Sequence, residues 1–122
     1  MELSKEFRFE AAHRLPGLPP GHALAPLHGH TYRVEVGVSG PVDDHLGWVI
    51  DFADIRAAVR PVIAALDHRC LNEIDGLANP TSEKLADWLW ARLAPGLPLL
   101  SMIAIGATCT PRCTYRGPAL NG

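Results

Sequence analysis

The sequence predicts an α+β fold in which two helices cover one face of a four-stranded antiparallel sheet, in the order ββααββ. Segments with alternating side chains lie near both ends of the chain, and two segments with apolar residues at three- and four-residue spacing lie between them. The 122 residues, 48% of them hydrophobic, suffice for one hydrophobic core. We therefore expect a single domain over residues 1–122.

Two strands are predicted in the first third of the chain. Residues 6–10 alternate charged and aromatic side chains, and Ala11-Ala12-His13 closes this segment. Residues 15–26 contain four prolines and two glycines, which is typical of a loop. Residues 32–38 alternate again before Ser39-Gly40-Pro41. The second strand is expected to run antiparallel to the first.

The first helix is predicted to begin after Asp51, a residue type that caps helix N-termini. Apolar residues recur from Phe52 to Leu66 at helical spacing, which indicates about 15 residues of helix. Pro61 lies inside this pattern and removes one intrahelical hydrogen bond. We expect it to kink one helix rather than divide two.

The second helix is predicted from Thr81-Ser82 to a point before Pro95-Gly96. Residues 99–107 and 110–117 are then expected to form two further strands, with Pro111-Arg112 near the turn. Trp48, between the second strand and the first helix, is expected in the core. A sheet of four strands leaves two open edges, and such edges are commonly covered by another chain. Homo-oligomerisation follows as a hypothesis.

Composition argues against several classes of function. The 11 basic and 13 acidic residues give a net charge of −2, and no basic block is present to neutralise a row of phosphates, so nucleic acid is not an expected partner. No apolar run approaches the roughly 20 residues of a membrane span, and no export signal is visible. Three cysteines do not make a secreted disulfide framework. A cytoplasmic protein that acts on a small molecule is expected.

Three histidines form a candidate metal site. In an extended segment, His28 and His30 point to the same side, and His13 joins them if the first two strands pair. Two imidazole nitrogens that bind one tetrahedral Zn²⁺ lie about 3.4 Å apart, a distance that such neighbours can reach. Three nitrogen ligands with an open fourth position are typical of catalytic zinc. In the alternative interpretation, His13 is a hydrogen-bonded strand residue and the other two decorate a loop.

Asp67-His68 is a candidate acid-base pair at the end of the first helix. An adjacent carboxylate can set the pKa of an imidazole that transfers protons. The alternative is a solvated helix C-terminus, where a protonated histidine is favoured by the helix dipole. The local sequence favours this alternative.

Several ordered motifs resemble the 6-pyruvoyltetrahydropterin synthase family, and most closely its 6-carboxytetrahydropterin synthase branch. They cover nearly the whole chain: Phe9-Glu10-Ala11-Ala12-His13-Arg14-Leu15, Leu27-His28-Gly29-His30, Gly47-Trp48-Val49-Ile50-Asp51-Phe52, Leu66-Asp67-His68, Leu71-Asn72, Asn79-Pro80-Thr81-Ser82-Glu83, Thr108-Cys109-Thr110 and Tyr115-Arg116-Gly117.

The resemblance implies the tunnelling fold, or T-fold, in which ββααββ subunits join their sheets into an oligomeric barrel, usually a hexamer of two trimers. It implies that His13, His28 and His30 match the zinc ligands of the family. It also implies that Asp67 and His68 match the family's proton-transferring Asp-His pair. The expected cofactor is therefore Zn²⁺.

Two positions depart from the family pattern. Leu24 stands where the 6-carboxytetrahydropterin branch has its catalytic cysteine, and leucine cannot transfer a proton. Ala107 stands where the family has a glutamate that anchors the pterin ring. Cys70, at a position that is aromatic in the family, is not an obvious replacement for the missing thiol.

Three functions remain open at this point. The leading hypothesis is a zinc-dependent, lyase-like enzyme that has diverged to a non-pterin substrate. In it, zinc activates a carbonyl or hydroxyl oxygen and Asp67-His68 moves a proton, in a lyase, isomerase or cyclising condensation such as a Pictet-Spengler reaction. The second is a 6-carboxytetrahydropterin synthase with reduced activity on dihydroneopterin triphosphate. The third is a non-catalytic protein that holds zinc and binds a ligand.

Overall fold

Two long antiparallel strands form the centre of the sheet. In the computed structural model, which describes residues 1–23, 25–107 and 111–118, β1 spans Glu2–His13 and β2 spans His28–Ser39. They pair along their whole length, from Glu2 opposite Ser39 to His13 opposite His28. Both predicted strands and their antiparallel pairing are confirmed. Leu24 and the Thr108–Thr110 segment lie outside the described residues.

Within the described residues, the sheet contains five strands rather than the predicted four. The two-residue strand β3, Arg69–Cys70, pairs in parallel with the end of β1. On the other side, β4, Leu100–Ala107, pairs antiparallel with β2, and β5, Cys113–Tyr115, pairs antiparallel with β4. The resulting order is β3-β1-β2-β4-β5. Two residues are too few to show alternation, and the sequence pattern therefore does not reveal β3.

Both helices begin at the predicted caps. Helix α1 spans Phe52–Ala64, and the Asp51 carboxylate accepts a hydrogen bond from the Ala53 amide at 2.9 Å. Helix α2 spans Ser82–Leu93, and the Thr81 hydroxyl accepts one from the Lys84 amide at 3.2 Å. Pro61 lies inside a single α1 helix, as predicted.

The end of α1 differs from its prediction. The helix stops at Ala64, and Asp67-His68 lies in the turn that leads to β3 instead of in the last helical turn. His68 has a backbone φ of 57°, in the left-handed region that a non-glycine residue seldom adopts. The dipole of α1 therefore does not explain this histidine, and tertiary contacts must hold it in place.

The core lies between the helices and one face of the sheet. Alternate residues of the strands pack against both helices in one cluster, which includes Phe9, Tyr32, Val34, Val36, Ile103 and Ile105 from the sheet and Ile55, Val59, Leu85 and Leu89 from the helices. The α+β prediction with helices on one face is confirmed. Trp48 does not belong to this cluster, because it is 42% exposed on a loop, and its predicted place in the core is wrong.

Removal of the α1 cap should destabilise the chain measurably. We expect Asp51→Ala to lower the free energy of unfolding by about 1 kcal/mol, because the Ala53 amide loses its acceptor. Urea denaturation measures the change. Asp51→Asn retains a cap oxygen and should stay close to the wild type, and equal losses in both variants would contradict the capping role.

Candidate metal centre and acid-base pair

The ends of β1 and β2 bring three histidines together. His13 lies opposite His28 in the ladder, and His30 projects to the same face two residues further along. One nitrogen from each ring can be chosen so that all three atoms lie within 4.8 Å of one another. The Nε2 atoms of His13 and His28 are 3.2 Å apart. The predicted convergence of these side chains is therefore present.

Backbone carbonyls favour one tautomer in two of these rings. Nδ1 of His28 lies 2.7 Å from the carbonyl oxygen of Pro26, and Nδ1 of His13 lies 3.1 Å from that of Pro80. Because a carbonyl can only accept, these contacts favour the tautomer in which Nδ1 carries the hydrogen and Nε2 offers a lone pair to a cation. Nitrogen ligands of tetrahedral Zn²⁺ lie about 3.4 Å apart. The donor set and its spacing fit zinc.

The electrostatic environment favours the neutral form of His13 and His30. Burial lowers the pKa of His13, and the neighbouring His28 and His30 lower it further, against the opposing effect of the Pro80 carbonyl. Burial also lowers the pKa of His30, with a contribution from His28. Neutral imidazole is the form that binds metals. The surroundings of His13 and His30 thus favour the form that can bind a metal around neutral pH.

A cavity of about 310 Å³ opens in front of the histidines. The first turn of α2 contributes Thr81, Ser82 and Glu83 to its wall, and Ala107 lies on the other side. Among the described residues that line the cavity, Glu83 is the carboxylate. Glu83 ends the Asn79-Pro80-Thr81-Ser82-Glu83 motif, but the sequence does not mark it as a site residue, because the helix dipole already explains an acidic residue in a first helical turn.

Asp67 and His68 are anchored to the edge of β1. The Asp67 carboxylate accepts a hydrogen bond from the Glu10 amide at 2.9 Å, and the His68 amide donates to the Glu10 carbonyl at 2.6 Å. The second carboxylate oxygen lies 3.0 Å from Nδ1 of His68. The hydrogen bond from the Glu10 amide, with that from His68, holds the pKa of Asp67 below its ordinary value.

His68, of the candidate acid-base pair, lines a second cavity of about 520 Å³. His68 lines it together with Glu10, Thr31 and Cys70, and His30 lines both this cavity and the first. Within the described residues, His13 and His28 border only the first. The structure therefore unites the three metal candidates and places the Asp67-His68 pair in an adjoining space.

The family model described as 6-pyruvoyl tetrahydropterin synthase matches residues 2–118. This chain belongs to that family. The 6-carboxy-5,6,7,8-tetrahydropterin synthase of Synechocystis is 38% identical over 125 residues, which cover 98% of this chain and 95% of the relative. A dihydroneopterin monophosphate aldolase of Pyrococcus furiosus is 43% identical over 72 residues, or 59% of this chain and 60% of the relative.

The structural comparison supports the same family. The 6-pyruvoyl tetrahydropterin synthase of Caenorhabditis elegans superposes with a TM-score of 0.87 at 27% identity, over 97% of this chain and 96% of that one. The family resemblance and the T-fold subunit inferred from the sequence are confirmed. Among the described residues of this family member, none of the helices has the length and apolar character needed to cross a bilayer.

The Asp67 anchor predicts a specific acid response. Because the folded pKa lies below the ordinary value of 3.8, the stability supplied by this carboxylate is present above pH 3.8 and is lost as the pH falls through the folded value. Asp67→Asn should therefore be less stable than the wild type near neutral pH, and the difference should shrink below pH 3.8.

Urea unfolding at a series of pH values measures this difference. Asp44→Asn, which changes an exposed carboxylate in the loop before α1, serves as the control and should not show the same trend. A gap between the wild type and Asp67→Asn that stays constant through the acid range would contradict the role of the anchor.

Proposed function

We propose that this chain is a zinc-dependent enzyme that binds a small molecule in the cavity in front of His13, His28 and His30. The observation that carries the proposal is the pair of Nε2 atoms of His13 and His28, 3.2 Å apart, with each Nδ1 within hydrogen-bond distance of a backbone carbonyl. Zinc, when bound, supplies a Lewis acid for a carbonyl or hydroxyl oxygen of the substrate. The family match over residues 2–118 supports one domain across the chain.

The proposed role of His68 is to move a proton at a carbon next to the polarised oxygen. Its Nδ1 pairs with the Asp67 carboxylate, which leaves Nε2 as the atom that exchanges a proton with the substrate. The side chain is 77% exposed and faces the cavity that shares His30 with the metal candidates. Lyase, isomerase and cyclising condensation reactions, including the Pictet-Spengler type, all require such a group.

We further propose that the substrate is less polar than a pterin. Ala107 lines the cavity at the position of the family's ring-anchoring glutamate, and Leu24 replaces the thiol of the 6-carboxytetrahydropterin branch. A missing general base typically costs a factor of about 10² to 10⁴ in rate. The two replacements together argue against ordinary turnover of a pterin.

A second candidate is a 6-carboxytetrahydropterin synthase that acts on dihydroneopterin triphosphate. Two observations favour it: 38% identity with the Synechocystis relative along nearly the whole chain, and Glu83 in the cavity wall. A carboxylate there is able to accept hydrogen bonds from the amino and amide groups of a pterin ring. In this case, His68 would be the remaining base.

Metal content tests the shared part of both candidates. We expect purified wild-type protein, dialysed and measured by plasma mass spectrometry, to hold about one zinc per chain. His28→Ala should lose most of it, because one ligand and the fixed lone pair disappear. His45→Ala, a histidine change in an exposed loop, should retain it. A zinc-free wild type after growth with zinc would overturn the metal centre.

Turnover of dihydroneopterin triphosphate distinguishes the two candidates. We expect product formation more than about tenfold slower than that of the Synechocystis relative assayed in parallel, because Leu24 and Ala107 remove the base and the ring anchor. Turnover within tenfold would overturn the non-pterin proposal. Residual activity that survives in His68→Ala but not in the zinc-free protein would contradict the proton-transfer role of His68.

We also propose that the chain assembles with copies of itself, as a trimer or a hexamer. In the described part of the chain, β3 covers only the end of β1, and the outer edge of β1 before Glu10 has no strand partner. Exposed apolar side chains lie near the start of this edge, including Met1, Trp48 and Phe52. Unpaired edges and apolar patches are the features that association covers.

Light scattering coupled to size-exclusion chromatography tests the assembly. At micromolar concentration we expect a mass of three or six times 13.2 kDa. Only a 13 kDa species under these conditions would overturn the proposal.

A further inference from the structure

We propose that the hydroxyl of Tyr32 is a positioning group for the metal centre, which holds the His13 imidazole in the orientation and tautomer that present Nε2 to the cation. The inference rests on the zinc site proposed above. It concerns a residue that no motif in the sequence marks, because Tyr32 reads as an ordinary core residue of a strand.

The position of the hydroxyl is unusual for a core tyrosine. Tyr32 is 1% exposed, and among the described residues its oxygen has one hydrogen-bond partner, Nδ1 of His13 at 3.0 Å. A buried hydroxyl that loses its partner retains the full cost of its removal from water. Tyr32 and His13 are thus bound to each other by a buried contact.

The ring of Tyr32 is held rigidly. It stacks on Phe9, its partner across the β1–β2 ladder, with ring centroids 4.9 Å apart and an angle of 10° between the planes. The His13 and His30 rings stand nearly perpendicular to it, at 80° and 81°. With the ring fixed on these sides, the hydroxyl oxygen is fixed relative to His13. Replacement by phenylalanine removes one oxygen and preserves the stack.

Two hydrogen-bonding schemes are possible at Nδ1, and only one permits metal binding. If Nδ1 carries the hydrogen, the Pro80 carbonyl and the Tyr32 oxygen both accept it, and Nε2 offers its lone pair. If instead Tyr32 donates to Nδ1, the Pro80 carbonyl loses its donor and Nε2 carries a hydrogen where the metal would bind. The Pro80 carbonyl favours the first scheme, because it can only accept and would lose the Nδ1 donor in the second. Tyr32 therefore acts as a second acceptor that reinforces the metal-binding tautomer.

Zinc affinity of Tyr32→Phe is the direct test. Loss of a hydrogen-bond partner of a metal-ligating histidine typically costs about 10- to 100-fold in affinity, and because the Pro80 carbonyl remains we expect about 10-fold here. Competition with a chromophoric chelator of known affinity measures the dissociation constant. The absorption spectrum of the Co²⁺-substituted protein should also change, because the orientation of one ligand is released.

The chain contains a matched control. Its other tyrosine, Tyr115, lies on the edge strand β5, and its hydroxyl contacts the Asp87 carboxylate at 3.5 Å. Tyr115→Phe removes the same atom away from the three histidines and should leave the zinc affinity and the Co²⁺ spectrum unchanged. Thermal unfolding of the metal-free proteins shows whether either variant has lost stability.

The outcomes separate this inference from the zinc proposal. Wild-type affinity or tighter binding in Tyr32→Phe overturns the positioning role, as does a loss of thermal stability with an unchanged Co²⁺ spectrum. A wild type that binds no zinc overturns the metal centre and this role with it. Should Tyr32→Phe fail to fold, long-range ¹H–¹⁵N spectra of the metal-free wild type decide: a hydrogen on Nδ1 of His13 supports the inference, and a hydrogen on Nε2 overturns it.

Discussion

The register of the β1–β2 ladder is the constraint on which the site depends. It places His13 directly opposite His28, and the same alternation turns His30 and Tyr32 toward the same face. A slip of one residue would send the partners to opposite faces of the sheet, since side chains alternate with a period of two. The buried core specifies this register, because the same slip would also expose Val34 and Val36. The same strand register therefore both buries the core and brings the three histidines together.

Local signals in the sequence sufficed for most of the fold. The caps at Asp51 and Thr81 and the alternation along β1 and β2 act within a few residues, and the structure contains the elements that they predict. The failures involve contacts between distant segments. Strand β3 exists because Asp67 and His68 bind the Glu10 backbone, 57 residues away in the case of Asp67, and no local pattern encodes that contact. The exposure of Trp48 is likewise set by packing between distant segments, which the local pattern around it does not encode.

The candidate site likewise has one part that the sequence predicts and another that depends on contacts between distant segments. The His28-Gly29-His30 spacing indicates two side chains on one face, and strand pairing brings in the third, so this convergence was predictable from the sequence. The groups that orient the rings were not. The local sequence around Pro80 indicates only that this residue precedes a helix. Its carbonyl oxygen lies 3.1 Å from Nδ1 of His13 because α2 packs beside the end of β1. Glu83 enters the same cavity for the same reason.

Burial separates the roles of the histidines. His13 is 7% exposed, and its environment disfavours the protonated form, which suits an imidazole that must keep a lone pair available. His68 is 77% exposed beside the Asp67 carboxylate, and this position suits the proton transfer proposed for it. If His13 and His68 lay in the same environment, one of the two proposed roles would be impaired. A buried base resists protonation, and at an exposed metal ligand protons compete with the metal for the nitrogen. The division into two cavities that share His30 therefore suits the two different roles proposed for these histidines.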